Sequence, residues 1–160
     1  MRQRQSAMER RRAREFDAFV AGAGGRLLHA AALLTAEPPD ATPRAQRLLT
    51  AALAATYADW DRLRDPLHGE DPYDHARREL VARFARGAWR ERRAAGGVLC
   101  ALGAQERLVV VLRLYEGAAE EQTAALTGLP VERVRATCAR AVTRLWDTTR
   151  PDTPGPADAP

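Results

Sequence analysis

No lysine occurs in this chain of 160 residues, so its 25 basic residues are all arginine. A GC-rich coding sequence accounts for that bias as readily as selection for phosphate binding does. Aromatic residues make up only 6%, which excludes a thick aromatic core and favours thin ones built from Leu, Val and Ala. Only two cysteines are present, Cys100 and Cys138. They are far apart and form no CxxC or Cys/His spacing, so a metal or redox centre is excluded and both are expected to be small buried residues of a reducing cytosol. No run of about 18 apolar residues occurs, and no apolar stretch of the signal-peptide kind follows the arginine-rich start. A soluble, cytoplasmic protein with no membrane partner is expected. His29, His68 and His75 have no Cys or carboxylate arrangement suited to catalysis or metal binding, so neither an enzyme nor a cofactor is expected.

What is present is helical patterning, interrupted by proline and glycine. The net charge of +4 and pI near 9.8 permit a polyanionic partner without requiring one. Residues 1–15 carry Arg2, Arg4, Arg10, Arg11, Arg12 and Arg14 and read as a solvated, frayed basic arm. From Phe16 an amphipathic pattern runs through Phe19, Val20, Leu27, Leu28, Ala31 and Leu34, weakened by Gly22, Gly24 and Gly25. The prolines of residues 37–43 break it. Past Pro43, Leu48, Leu49, Ala52, Leu53, Thr56, Tyr57 and Trp60 recur at helical spacing. A loop over residues 65–72 leads to a third helix, expected from about Tyr73 to Arg93. Its apolar stripe is Ala76, Leu80, Val81, Phe84 and Ala88, and arginines cover the remainder. Trp89 either closes the core or offers a base-stacking surface. Residues 148–160 are proline-rich and almost devoid of apolar side chains, so they read as a disordered tail.

The stretch that organises the chain is residues 102–146. Arg107 to Tyr115 reads RLVVVLRLY, apolar nearly all round, as a buried spine does. Gly117 ends it. Then come Glu120, Glu121 and Gln122 outside, with Thr123, Ala124 and Leu126 inside. Ala124 suits a close helix crossing, Gly128 supplies the positive φ of a tight turn, and Val134 would plug the gap between the two helices. Beyond the turn Val131, Val134, Cys138, Ala141, Val142 and Leu145 form an apolar stripe. At about 100° per residue, Arg133, Ala136, Thr137, Arg140 and Arg144 fall opposite, with Arg135 at the stripe's margin. Such a helix can lie in a major groove, with Arg133 or Arg135 bidentate to guanine and later arginines on phosphates. A second helical hairpin with a solvated arginine face has the same pattern.

LGAQER at 102–107, VVVLRLYEG at 109–117, the helix-turn-helix and ARAVTRLW at 139–146 resemble region 4 of extracytoplasmic-function sigma factors, most closely the actinobacterial sigma-E-like group. FDAFV, HAAALLT, ATYADW, DPYDHARRELV and WRERR follow the order of their region 2. The resemblance covers about residues 16–146. It implies an all-α fold of two small units: a region 2-like three-helix bundle over 16–93 and a region 4-like helix-turn-helix domain over 99–147, joined by a short linker at 94–98. It further implies a dissociable subunit that directs RNA polymerase core to double-stranded promoter DNA, with an anti-sigma factor as a further candidate partner. On that pattern Arg133, Arg135, Ala136, Thr137 and Arg140 occupy the positions that read the −35 element. Arg86, Trp89 and Arg90 lie in the segment facing −10 DNA.

Two departures accompany the resemblance. The acidic stretch with which the family grips the polymerase clamp aligns with residues 44–51, RAQRLLTA, where arginine, glutamine and alanine replace the acids. Between Trp89 and Leu102 lie only about a dozen residues, which span at most roughly 45 Å. The two promoter elements lie roughly 70 Å apart, on the order of two turns of DNA. Two other functions therefore stand beside the sigma factor: a stand-alone helix-turn-helix regulator, and a sigma-like interaction protein that no longer binds core polymerase.

Overall fold

The computed structural model describes residues 2–87 and 96–150. Within them lie seven α-helices and no strand. In chain order these are α1 (Arg2–Thr35), α2 (Pro43–Ala58), the single-turn α3 (Trp60–Leu63), α4 (Pro72–Gly87), α5 (Ala104–Val110), α6 (Glu120–Thr127) and α7 (Val131–Thr149). A π-helical turn, Val111–Tyr115, extends α5. The all-α expectation holds.

Three helices, α1, α2 and α4, pack together in the first half. Leu27, Leu34, Leu49, Leu80 and Phe84 fill the space between them. Pro43 begins α2, where a missing amide costs nothing. Glu37, from the proline-rich break, accepts the amides of Arg44 at 2.9 Å and Ala45 at 2.7 Å and so caps that helix. His75 is buried between α2 and α4, with Thr56 Oγ1 at 3.3 Å and Asp59 Oδ2 at 3.1 Å. The sequence offered no such carboxylate partner, because Asp59 reaches His75 only through the fold. Thr56 donates its hydroxyl to Ala52 O within α2, and its contact with His75 ties α2 to α4.

The basic arm corrects the sequence reading. Residues 2–15 are not frayed; they are the first turns of α1. Arginine is a good helix former, and the segment is anchored on both sides. Arg11 pairs with Glu15 at 2.9 Å, Arg64 reaches Glu15 at 2.7 Å, and Arg12 donates to Tyr57 O and lies over the Tyr57 ring. Phe16 packs edge-on against Tyr57 and Trp60. Over Gln3–Thr35 this helix is long and apolar enough to cross a membrane by composition alone, but Leu27, Ala30, Ala31 and Leu34 are buried against other helices. At the other end, α7 continues through Thr148 and Thr149, whose hydroxyls bond back to Arg144 O and Leu145 O. Cys100 is exposed and not buried as expected, while Cys138 is half-buried.

The second half is built on α5 and its π turn. Leu108, Val109, Val110, Val111 and Leu112 are all buried, as the apolar run requires. Gly117 and Gly128 adopt positive φ of 69° and 71°, so both expected breaks are real. A Cβ on Gly128 would meet nothing within 4 Å, which leaves backbone strain as the only penalty. Gly128→Ala should therefore cost about 1–2 kcal/mol, read as a lower denaturant midpoint at unchanged slope. The two halves are not separated: α1 and α4 both contact α5 and α6 or the π turn, and the buried side chains form one continuous cluster.

Candidate nucleic-acid interface

Helix α6 and helix α7 are joined by a tight turn at Gly128. Gln122 accepts the Ala119 amide at 3.0 Å, which fixes the start of α6. Val134 is fully buried on α7. On α6 Thr123 is fully buried, while Ala124 is only partly so. On α7 the inward stripe is Val134, Thr137 and Ala141, spaced i, i+3 and i+7.

That stripe overturns one candidate. Thr137, expected on the DNA-facing side, is buried to 1% exposure. Thr137 is on the buried side of the helix, while Val142, assigned inward, is 43% exposed. Three residues after Val134, Thr137 lies only about 60° from it around the helix, so it shares the packed side instead of falling opposite. Thr137 Oγ1 nevertheless contributes, accepting from Arg140 at 3.1 Å.

The outward face carries Arg133, Arg135, Ala136, Arg140 and Arg144, all exposed. Their partners differ. The Arg133 side chain has none among the described residues, and Arg140 has only Thr137. Arg135 forks onto Glu120 at 2.6 Å and 3.1 Å, clasping α7 to the start of α6. Arg144 pairs with Glu106 at 2.7 Å, and Glu106 in turn accepts the Gly103 amide at 2.9 Å. Sequence reading missed Glu120 and Glu106 as partners, since nothing in the 15-residue and 38-residue separations signals contact.

Glu120's carboxyl is held below the usual range, first by the Arg135 hydrogen bond and then by the charges of Arg135 and Arg113. A depressed folded-state value means the clasp contributes above the unfolded carboxylate value and is lost only as pH falls through the lower one. A carboxyl NMR titration should show Glu120 still ionised where ordinary glutamates have taken up protons. A normal midpoint would mean that the fork does not persist in solution.

In the first half, Arg86 is exposed near the end of α4. Trp89 and Arg90 lie outside the described residues. Arg44, Arg47, Leu48, Arg83 and Phe84 line an open groove of about 800 Å³ with no acidic side chain in its lining. Arg83 also pairs with Glu79. Among the described residues, no group of three or more His, Cys, Asp or Glu side chains is placed to hold a metal ion.

The regular elements of the described residues are all helical, and they present an arginine-faced helix behind a glycine turn. Two curated relatives place the chain more closely. It is 30% identical to the RNA polymerase sigma-E factor of Streptomyces coelicolor over 156 residues, an alignment covering 82% of this chain and 84% of that protein. It is 29% identical to the RNA polymerase sigma-E factor of Streptomyces avermitilis, with 82% and 83% covered. No family model matches the chain, and no solved structure matches it. The chain belongs to the sigma-E-like group of extracytoplasmic-function RNA polymerase sigma factors.

Proposed function

We propose that this chain is a cytoplasmic, non-enzymatic initiation factor that directs RNA polymerase to promoters, with α7 reading a −35-type element. The supporting observation is the pair Arg133 and Arg140, exposed on α7 with no ion-pair partner among the described residues, so that their charge is available to DNA. In this reading Arg133, in the first turn, meets a base edge, and Arg140, a further two turns along, meets phosphate. Ala136 leaves room for a thymine methyl. Arg135 and Arg144 reach DNA only by exchanging Glu120 and Glu106 for it. Arg86, with Trp89 and Arg90, serves the −10 side. The domain limits are those of the sequence reading, 16–93 and 99–147. The test is co-purification of the full chain with core polymerase, followed by promoter-dependent run-off transcription. Failure of both removes the proposal.

One observation favours a second reading. Where the family's acidic clamp-gripping stretch aligns, this chain presents Arg44 and Arg47 beside Arg83. Like charges meeting there would oppose docking. A chain that binds promoter duplex specifically in the absence of polymerase would be a stand-alone regulator. Binding to an anti-sigma-type protein with no DNA retention at low salt would mark an interaction protein.

A further inference from the structure

Glu116 follows the π turn, and its side chain is 1% exposed. It does not face its own half. Tyr73 on α4 donates its hydroxyl to both carboxylate oxygens, at 2.9 and 3.0 Å. Arg77, on the same helix, lies 3.5 Å from Oε2, and Arg26 on α1 lies 3.6 Å from Oε1. Arg26 also donates to the Glu116 carbonyl at 3.4 Å. Every one of these partners belongs to the first half. Burial and the adjacent carboxylate push the Tyr73 phenol well above its ordinary range. Beside this cage Tyr115 stacks on His29 and donates to Arg26 O at 3.3 Å.

We infer that the Glu116 cage is a latch that holds the helix-turn-helix half closed against the first half and must open before both halves can engage one promoter. The inference rests on the two-element reading of the function proposed above. Its physical basis is the kind of contact involved. A buried ion pair adds little net stability over an apolar contact of similar volume, because desolvation offsets attraction. Its geometry is specific, however, and each member is satisfied by water once released. The cage therefore fixes the closed arrangement without making it irreversible. Apolar side chains between the halves, Leu108 and Phe84 among them, would be uncovered on opening, so a partner that covers them stabilises the open form. The short linker gives the latch its consequence: while the cage is closed, the two halves cannot separate even to the linker's limit.

The test measures opening directly and without DNA. Spin labels are placed at Leu67→Cys and Trp146→Cys, both exposed positions in different halves, in a Cys100→Ser, Cys138→Ala background. Glu116→Gln keeps the packing and an acceptor for Tyr73 but removes the charge facing Arg26 and Arg77. Tyr73→Phe deletes a single hydroxyl and serves where the first variant does not fold. Each should raise the long-distance population, Glu116→Gln on the order of ten-fold, a typical coupling between sites. Distance distributions identical to the parent's in both folded variants would overturn the latch. Polymerase-dependent protection of a two-element promoter fragment, followed in parallel, separates the two ideas. Opening without any gain in protection keeps the latch and counts against the promoter reading.

Discussion

Replacing Arg133 and Arg140 together by alanine should lower affinity for a specific duplex by about 100-fold or more while leaving the thermal midpoint unchanged. The two effects have different origins, so the single variants should be distinguishable. Arg133 stands in the first turn of α7 with an unengaged guanidinium. If it forks onto a guanine edge, its loss costs about 1–3 kcal/mol, confined to one base position. Arg140 lies farther along the helix, steadied by Thr137 Oγ1 at 3.1 Å. Its loss should weaken binding equally on all sequences and reduce the salt dependence by about one counterion. Stability should not move, because neither side chain holds another element in place and exposed substitutions of this kind stay within about 0.5 kcal/mol. Titration of labelled duplexes at two salt concentrations checks both claims. A uniform loss from Arg133→Ala across all base substitutions would demote it from reader to phosphate contact.

Helical periodicity is a local property, and the features that depended on it were legible. The spine at residues 107–115, the turn at Gly128 and the buried Val134 follow from spacing and from the backbone demand of one glycine. Face assignment within α7 was less secure. The projection at about 100° per residue put Val142 with the apolar stripe and Thr137 opposite it, yet Thr137 lies only about 60° from Val134 and is buried, while Val142 is 43% exposed. The basic arm shows the same limit. Six arginines in a run of fourteen residues suggest repulsion, but the distant partners that anchor the segment, Tyr57 O for Arg12 and Arg64 for Glu15, are supplied by folding.

Least legible was the joint between the halves. A glycine-bearing stretch and two helical patterns implied two units joined by a short linker, with no sign of how the units meet. The buried polar contacts that fasten them come from residues 73 and 90 positions apart in sequence, and no periodicity signals such pairs. Arg107 illustrates the difficulty. In RLVVVLRLY it reads as the polar margin of an apolar helix, yet it is 6% exposed. Glu116 likewise reads as a solvated residue before a turn. A charged residue at the edge of an otherwise apolar segment was the available signal, and it is a weak one without knowledge of what lies opposite.

Arg107 also carries the largest expected effect on stability. Its Nε donates to Leu34 O at 2.7 Å and its Nη1 to Leu102 O at 3.0 Å. The first of these carbonyls belongs to the last turn of α1, where no intrahelical amide remains to satisfy it. The guanidinium also lies over Phe84, 5.9 Å from the ring centre. In Arg107→Ala both carbonyls lose a donor in a buried setting, at about 1–3 kcal/mol each, and the stem leaves a void. A loss of roughly 3–5 kcal/mol follows, comparable to removing one partner of a buried pair. At about 2–4 °C per kcal/mol for a chain of this size, the midpoint should fall by on the order of 10 °C. Arg107→Met restores the packing but neither hydrogen bond and should recover only the cavity share. Arg107→Lys, with one compact ammonium in place of a fork, can satisfy one carbonyl and should fall between. Because the contact joins α5 to the end of α1, loss of cooperativity is expected with loss of stability: calorimetry should show the single transition broaden or split. Equal midpoints for Arg107→Met and the parent would mean that packing of the stem, and not the two carbonyl contacts, is what Arg107 contributes.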